Sequence, residues 1–328
     1  LVVENHGNEW EVLASAQMPS FGLRRGAVVN IEETAKNIQL LISSLERDAG
    51  RRISSAFVNI GGNHLHVEPS DGLISVSRAD HIISQEDVDR VLQATRAINI
   101  PMNEEILDVF PKEFVVDDQR GIKQPLNLTG VRLQAKVILL CYFQSYFINL
   151  TQAVLGARLQ IDDIVPSPLA AARAVLTPQQ KEMGVALIDI GAATTSLAVF
   201  EEGDLIHLAI FPLGSLNITN DLAIGLKTEL AIAEDIKKEH GAAMIGKTDV
   251  GAKKKIEISD HTHSLAFTKK NLVDIIGPRI SEILDLMQKE LKSIGKQEQL
   301  PAGIVLTGGG VKIPRIKELV KQQLKLPC

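Results

Sequence analysis

Two cysteines are all the sequence has, Cys141 inside an apolar run and Cys328 at the last position, which excludes a disulfide framework and fits a reducing cytoplasm. No apolar run approaches the roughly 18 residues of a membrane-spanning helix. The N-terminus lacks a signal-peptide pattern, so the Asn-x-Thr triplets at Asn127, Asn149 and Asn217 are read as chance. Basic residues are not in excess: 35 Lys and Arg stand against 40 Asp and Glu, a net charge of −5, and no general affinity for nucleic acid follows. There is no Gly-Lys-Ser/Thr of a Walker loop, no Ser-His-Asp or Cys-His arrangement, no repeat and no low-complexity tract. Aromatics are scarce, with one Trp and two Tyr.

What is there is globular: 328 residues, 45% hydrophobic and 23% charged, enough for two domains or several subdomains. The first 17 residues read as a hairpin around His6-Gly7-Asn8. Asn30 is a helix N-cap with Glu33 three residues on, and Gly50 is the stop. A strand over Ile53–Ile60 ends at Gly61-Gly62, a module boundary. From there to Cys141 the texture is α+β. Short strands are expected at Leu65–Val67, Leu73–Val76, Ile106–Val109 and Phe114–Val116, with a helix capped by Ser84 and Asp87 and an alternating run from Val131. Helices over Ser145–Leu155 and Pro168–Leu176 follow. Later helices are expected after Gly214-Ser215, after a Thr228 cap and up to a Gly241 stop, over about Lys269–Ser293, and from near Pro314. Met244–His263 reads as Lys-rich and irregular, with a strand at Ile256–Ile258.

The informative stretch is Val185–Phe200. A continuous apolar run ends in Asp189, then come Ile190-Gly191-Ala192-Ala193-Thr194-Thr195 and a second apolar run. A third, Leu205–Phe211, follows a turn at Glu201–Asp204 and completes a meander. Small residues let turn amides approach a phosphate, hydroxyls donate to its oxygens, and a carboxylate beside them holds Mg²⁺ through water. A plain hairpin whose Asp caps the turn fits the same residues. A second signal is Gly308-Gly309-Gly310, between a buried strand and a helix, where a side chain would block anything lying flat on the backbone. Glu234 and Lys237 lie between the two signals, three apart on one helix face, as an ordinary surface ion pair also would.

In this order the three pieces resemble the phosphate, nucleotide-pocket-helix and adenosine motifs of the actin/heat-shock-protein-70 ATPase fold. The resemblance is closer to the bacterial cell-division actin homologues of the FtsA family. Asp189-Ile190-Gly191 with Thr194-Thr195, Ile218–Leu226, Ala233–Lys237 with Glu239-His240-Gly241, and Gly303–Gly310 carry it. Gly121–Pro125 and Gly130–Val137 look like the subdomain inserted in that branch.

The resemblance implies an α/β actin-like ATPase fold, two ribonuclease-H-like halves with an inserted small α+β 1C-type subdomain. Subdomain 1A would be residues 1–62 and 142–182, 1C 63–141, 2A 183–213 and 295–328, and 2B 214–294. It implies ATP and Mg²⁺ as ligands. Asp189 would hold the Mg²⁺ water shell, and Gly191, Ala192, Ala193, Thr194 and Thr195 would cradle phosphates with Gly214. Glu234 and Lys237 would contact ribose or adenine, and Gly308, Gly309 and Gly310 would back the adenosine. It implies a scaffold with at most weak ATPase activity that self-associates into filaments through 1C and neighbouring subdomains. The scaffold would act at the division site, on the cytoplasmic face of the inner membrane, and recruit later division proteins. Lys270, Asn271 and Arg279 on 2B would meet the acidic tail of FtsZ, although a solvated helix face fits them too.

Several features depart from the family pattern. The first phosphate loop and the C-terminal amphipathic membrane helix are expected outside Leu1–Cys328, the chain being read as cut at both ends. Ala192 and Ala193 replace usual glycines, and Ser196 and Ser215 usual aspartates. An alanine at a position needing positive φ costs about 1 kcal/mol, which puts tight nucleotide binding in question. Two competing readings are an actin-like type IV pilus assembly protein binding a membrane partner's peptide, and a small-molecule kinase of the same fold. The pairs His64/His66 and His261/His263 lack a third metal ligand at sensible spacing, and Asp117-Asp118 reads as a polar loop.

Overall fold

The computed structural model describes residues 1–7, 9–246, 254–259 and 264–328, without the side chains of Ile258, Ser259 and Ser264. The N-terminal hairpin pairs β1 (Val2–Asn5) with β2 (Trp10–Ala14), and a short ribbon joins β3 (Leu23–Arg24) to β4 (Ala27–Val28). Helix α1 (Ile31–Ala49) starts where expected: Asn30 accepts the Glu33 amide at 3.1 Å, Glu32 and Glu33 face the positive end of the helix, and Gly50 closes it at φ 65°. Strand β5 (Ser55–Ile60) leads into the insert.

The insert comprises β6 (Leu65–Ser75), α2 (Gln85–Thr95), β7 (Glu104–Val116), β8 (Gln119–Ile122) and β9 (Arg132–Phe143), in sheet order β6-β9-β7-β8. Ser84 and Asp87 form a complete capping box on α2. The four short strands expected here are two long ones. Pro69 sits on edge strand β6, which needs no amide on its outer side, and Pro111 falls at a bulge of β7 before β8 begins to pair.

The chain then forms α3 (Gln144–Gly156), β10 (Gln160–Pro166) parallel to β5, α4 (Ser167–Val175) and α5 (Pro178–Met183), the last capped by Thr177 and not anticipated from sequence. The meander follows as β11 (Val185–Ile190), β12 (Thr195–Glu201) and β13 (Asp204–Phe211). Next come α6 (Ser215–Leu226), α7 (Leu230–His240), the antiparallel pair β14 (Lys255–Ser259) and β15 (Ser264–Thr268), and the long α8 (Lys269–Ser293). Strand β16 (Ile304–Thr307), a 3-10 turn (Gly309–Lys312) and α9 (Ile316–Leu324) complete it. Thr228 does not cap α7. Its amide bonds back to Ala223 O at 3.0 Å, past a left-handed Lys227, so Thr228 closes α6 instead. Arg315, in the left-handed region, delays α9 to Ile316.

The second sheet runs β13-β12-β11-β16, with β16 parallel to β11. One face packs Ile188, Ile190, Leu197 and Val199 on the α6–α9 layer, where α8 buries Leu272, Ile276, Ile280, Ile283, Leu284, Met287 and Leu291. Its other face, with Leu187, Ala198 and Leu208, shares a core with Ile138, Leu140 and Tyr142 of β9 and with α4. Strand β9 is apolar on both sides because Leu133, Ala135, Val137, Leu139 and Cys141 face α2. Among the described residues no helix is long and apolar enough to cross a membrane.

Candidate functional site

Strands β11 and β16 end side by side, with Asp189 paired in register with Thr307, and two loops leave the sheet at that edge. In the first, the Gly191 amide donates to Thr194 O at 2.9 Å. The start of α6 clasps the turn from outside: the Ser215 amide donates to Gly191 O at 2.9 Å and the Leu216 amide to Ala192 O at 2.8 Å. Gly214 permits that approach, since a Cβ there would stand 2.5 Å from Ala192 O. Ala192 and Ala193 are not among the positive-φ residues, so neither alanine carries the strain expected from sequence. Thr195 is fully buried and donates its hydroxyl to Leu213 O at 2.8 Å. Of the two threonines, only half-buried Thr194 keeps a hydroxyl available to the turn.

In the second loop Gly308 has φ 91°, and a Cβ would stand 2.3 Å from Asp189 Oδ1 and 2.5 Å from Ile190 O. At Gly310 it would meet Ile190 Cγ2 at 2.5 Å, whereas nothing lies within 4 Å at Gly309. Two of the three glycines therefore let the loop close on the tip of β11, and Gly309 is the one that leaves backbone bare. Burial raises the Asp189 carboxyl above the usual carboxylate range, and no protein group donates a hydrogen bond to it among the described residues.

Glu234 and Lys237 of α7 are no surface pair. The Lys237 side chain is 7% exposed, and its ammonium donates to Glu234 Oε2 at 2.6 Å, Thr219 Oγ1 at 2.7 Å and Ser215 O at 3.1 Å. Burial disfavours the charged form of Glu234, but hydrogen bonds from Lys237 and Thr219 outweigh it and hold its carboxyl below the usual range. Between α7, the 3-10 turn and the first loop lies a cavity of about 500 Å³. It brings together the expected Ala192, Glu234, Lys237, Gly309 and Gly310. Ser215, read from sequence as a departure from the family's aspartate, lines it too, as do Lys238, Lys312, Ile313 and Pro314, which were not anticipated although Lys312 and Pro314 lie just past the glycine run. Asp189, Gly191, Ala193, Thr194, Thr195, Gly214 and Gly308 form the frame behind it and are not in its lining. The volume suits a small ligand. A larger cavity, about 730 Å³, lies between β7, β10, α4 and the β12–β13 turn and holds none of these residues.

On α8, Lys270 is exposed, Asn271 accepts the Thr268 amide at 3.0 Å as part of the helix cap, and Arg279 is 25% exposed and held by Asp221 and Glu282. His64 is buried beside Tyr146, and His66 lies 3.2 Å from Glu104. His261 and His263 lie outside the described residues. No group of three or more metal-ligating side chains occurs among the described residues. Asp117 turns the chain at φ 54° and accepts the Val131 and Arg132 amides.

Two family models match: "SHS2 domain inserted in FTSA" over residues 62–141 and "Cell division protein FtsA" over 186–328. The chain is 37% identical over 317 residues to the cell division protein FtsA of Pseudomonas aeruginosa, covering 97% of the chain and 76% of that protein. It is 35% identical over 325 residues to that of Bacillus subtilis, covering 99% and 74%. Among solved structures, the PilM-PilN type IV pilus biogenesis complex superposes with a TM-score of 0.65 at 20% identity, covering 98% of this chain and 82% of that one. MreB5 of Spiroplasma citri bound to ADP gives 0.54 at 14%, covering 99% and 75%. These two likenesses concern the fold. Glycine-edged loops on a paired strand tip, an inserted four-stranded module, and identity above one third along nearly the whole chain converge: the chain belongs to the FtsA family of cell division proteins, on an actin-like ATPase fold.

Proposed function

We propose that the chain is the nucleotide-binding part of an actin-like division scaffold, with ATP held at the tips of β11 and β16. The observation that carries this reading is a carboxylate at a strand tip with no protein donor, Asp189, behind a small-ligand cavity that ends on bare backbone at Gly309. A carboxylate at a strand tip beside a glycine-edged loop suits a cation that keeps its own waters, and Asp189 would hold Mg²⁺ through water. Gly191, Ala192, Ala193 and Thr194 would face phosphates with Gly214 behind them, and Glu234 with the glycine loop would border the nucleoside. The bound Mg²⁺ would neutralise phosphate charge. Turnover would be slow, with ATP acting as a ligand that shapes the protein.

The subdomain division set out from sequence is supported by a sheet drawn entirely from 65–143, inserted between β5 and α3. The partners are FtsZ, through Lys270, Asn271 and the neighbourhood of Arg279 on 2B, further copies of the chain, and the cytoplasmic face of the inner membrane. Arg279 would join only by exchanging Asp221 or Glu282 for the FtsZ tail.

The test uses the full-length protein. Mg-ATP is titrated against wild type and Asp189→Asn, and each is pelleted with FtsZ and lipid vesicles with and without ATP. Expected are saturable binding that needs Mg²⁺, its weakening in Asp189→Asn, and ATP-dependent pelleting with both partners. No nucleotide binding by wild type, or no FtsZ-tail binding, overturns the reading.

A further inference from the structure

Thr219 lies in the middle of α6, is 1% exposed and does not line the cavity, yet it sits at the centre of the polar cluster on the cavity wall. Its hydroxyl donates to Glu234 Oε2 at 2.5 Å and accepts from Lys237 Nζ at 2.7 Å, while Lys237 also reaches Glu234 Oε2 at 2.6 Å. Lysine has three protons and no acceptor, and here all three are used, the third on Ser215 O at 3.1 Å. A ligand therefore finds no free proton on Lys237. The Thr219 hydroxyl has a single proton, and the distances assign it to Glu234 over Ser215 O, which is 3.3 Å away.

The consequence is geometric. Glu234 Oε2 is saturated from inside the protein, so Oε1 is the oxygen left towards the cavity rim, where Lys238 stands 3.4 Å from it. The same cluster fixes the spacing of α6 and α7. The residue whose carbonyl Lys237 grips, Ser215, is the one whose amide holds Gly191 O in the first loop. The polar chain thus runs from Glu234 through Lys237 and Ser215 to the turn beside Asp189.

We infer that Thr219, together with Lys237, is a positioning residue for the nucleotide site: it touches no ligand and acts by orienting Glu234 and tying α7 to the first loop. This rests on the nucleotide-binding reading, so wild type is measured first, and failure of wild type to bind ATP or ADP refutes that reading and not this one. With wild-type binding established, ATP and ADP affinities and thermal melts are measured for full-length Thr219→Val, Thr219→Ala and Thr219→Ser, each alone and with Glu234→Gln. Losing a hydrogen bond to a charged group in a buried cluster predicts about a ten- to hundredfold weaker affinity for Val and Ala. Ser, which keeps the hydroxyl, is expected within about threefold of wild type, a rescue that a packing role would not give. With Glu234→Gln present, Thr219→Ala is expected to cost a much smaller factor, because the group it orients has lost its charge. Ala guards against Val failing to fold, since it adds no volume. Wild-type affinity in Thr219→Ala, a Ser loss as large as the Ala loss, or an undiminished Ala loss beside Glu234→Gln each overturns the inference.

Discussion

Gly308 lies so close to Asp189 that a Cβ on it would stand 2.3 Å from the carboxylate Oδ1. That contact, with the 2.5 Å approach to Ile190 O and a φ of 91°, makes the position intolerant of any side chain. Gly308→Ala is expected to destabilise by about 2–4 kcal/mol, from positive-φ strain plus overpacking against backbone. Gly309→Ala meets nothing within 4 Å, so it should stay within about 1 kcal/mol of wild type while weakening whatever lies on that backbone. Urea midpoints and a nucleotide titration on both variants check the contrast.

The alanines at 192 and 193 bear on how the first loop is built. Neither needs left-handed backbone, so restoring glycine should not tighten the turn. Ala192→Gly and Ala193→Gly are each expected to lower stability by about 0.5–1 kcal/mol through unfolded-state entropy, with nucleotide affinity unchanged or lower. A gain in affinity from either glycine would contradict this.

What was legible in the sequence was local. Asn30, Ser84 and the apolar stripe of α8 announce themselves through neighbours three or four residues away, and the structure carries them as read. The loops at Asp189 and Gly308–Gly310 were legible because glycine and small residues mark close backbone approach. Illegible were features set by distant partners. Lys237 reads as a surface lysine until α6 brings Ser215 and Thr219 over it, and Arg279 as a free cation until Asp221, 58 residues earlier, takes it. Thr195 loses its hydroxyl to Leu213 O, 18 residues on. The four short strands expected between Leu65 and Val116 are two long ones, because sequence does not say that Pro69 falls on an unpaired edge and Pro111 at a bulge.

His64 gives a pH dependence. It is 2% exposed, stacks on Tyr146 at 4.7 Å, and neither ring nitrogen has a hydrogen-bond partner among the described residues. Burial pushes its pKa down from 6.5 to about 4. The unfolded chain therefore takes up the proton first as pH falls below about 6.5, and the folded state loses stability until the pH passes about 4. The full loss is about 3 kcal/mol at 1.36 kcal/mol per unit. Urea midpoints between pH 7.5 and 4 should fall less steeply in His64→Phe than in wild type. Parallel curves would mean that His64 already protonates readily in the fold.

The insert meets the second sheet in two ways, and their sizes differ. Lys123 reaches Glu202 at 3.0 Å and Asp204 at 2.8 Å across the junction, but the three side chains are substantially exposed, so the bridge is worth about 0.5 kcal/mol or less. Beneath it Leu140 of β9 and Leu208 of β13 are buried in one core with Leu187 and Ala198. Truncating either leucine leaves a cavity that costs about 2–5 kcal/mol. Lys123→Ala should therefore barely move the urea midpoint, and Leu140→Ala or Leu208→Ala should move it strongly. Because the core is shared, the insert and the second sheet should unfold in one transition followed by circular dichroism. An early separate transition in Leu140→Ala, leaving the second sheet at wild-type stability, would mean that the insert is attached by its surface charges and not by this core.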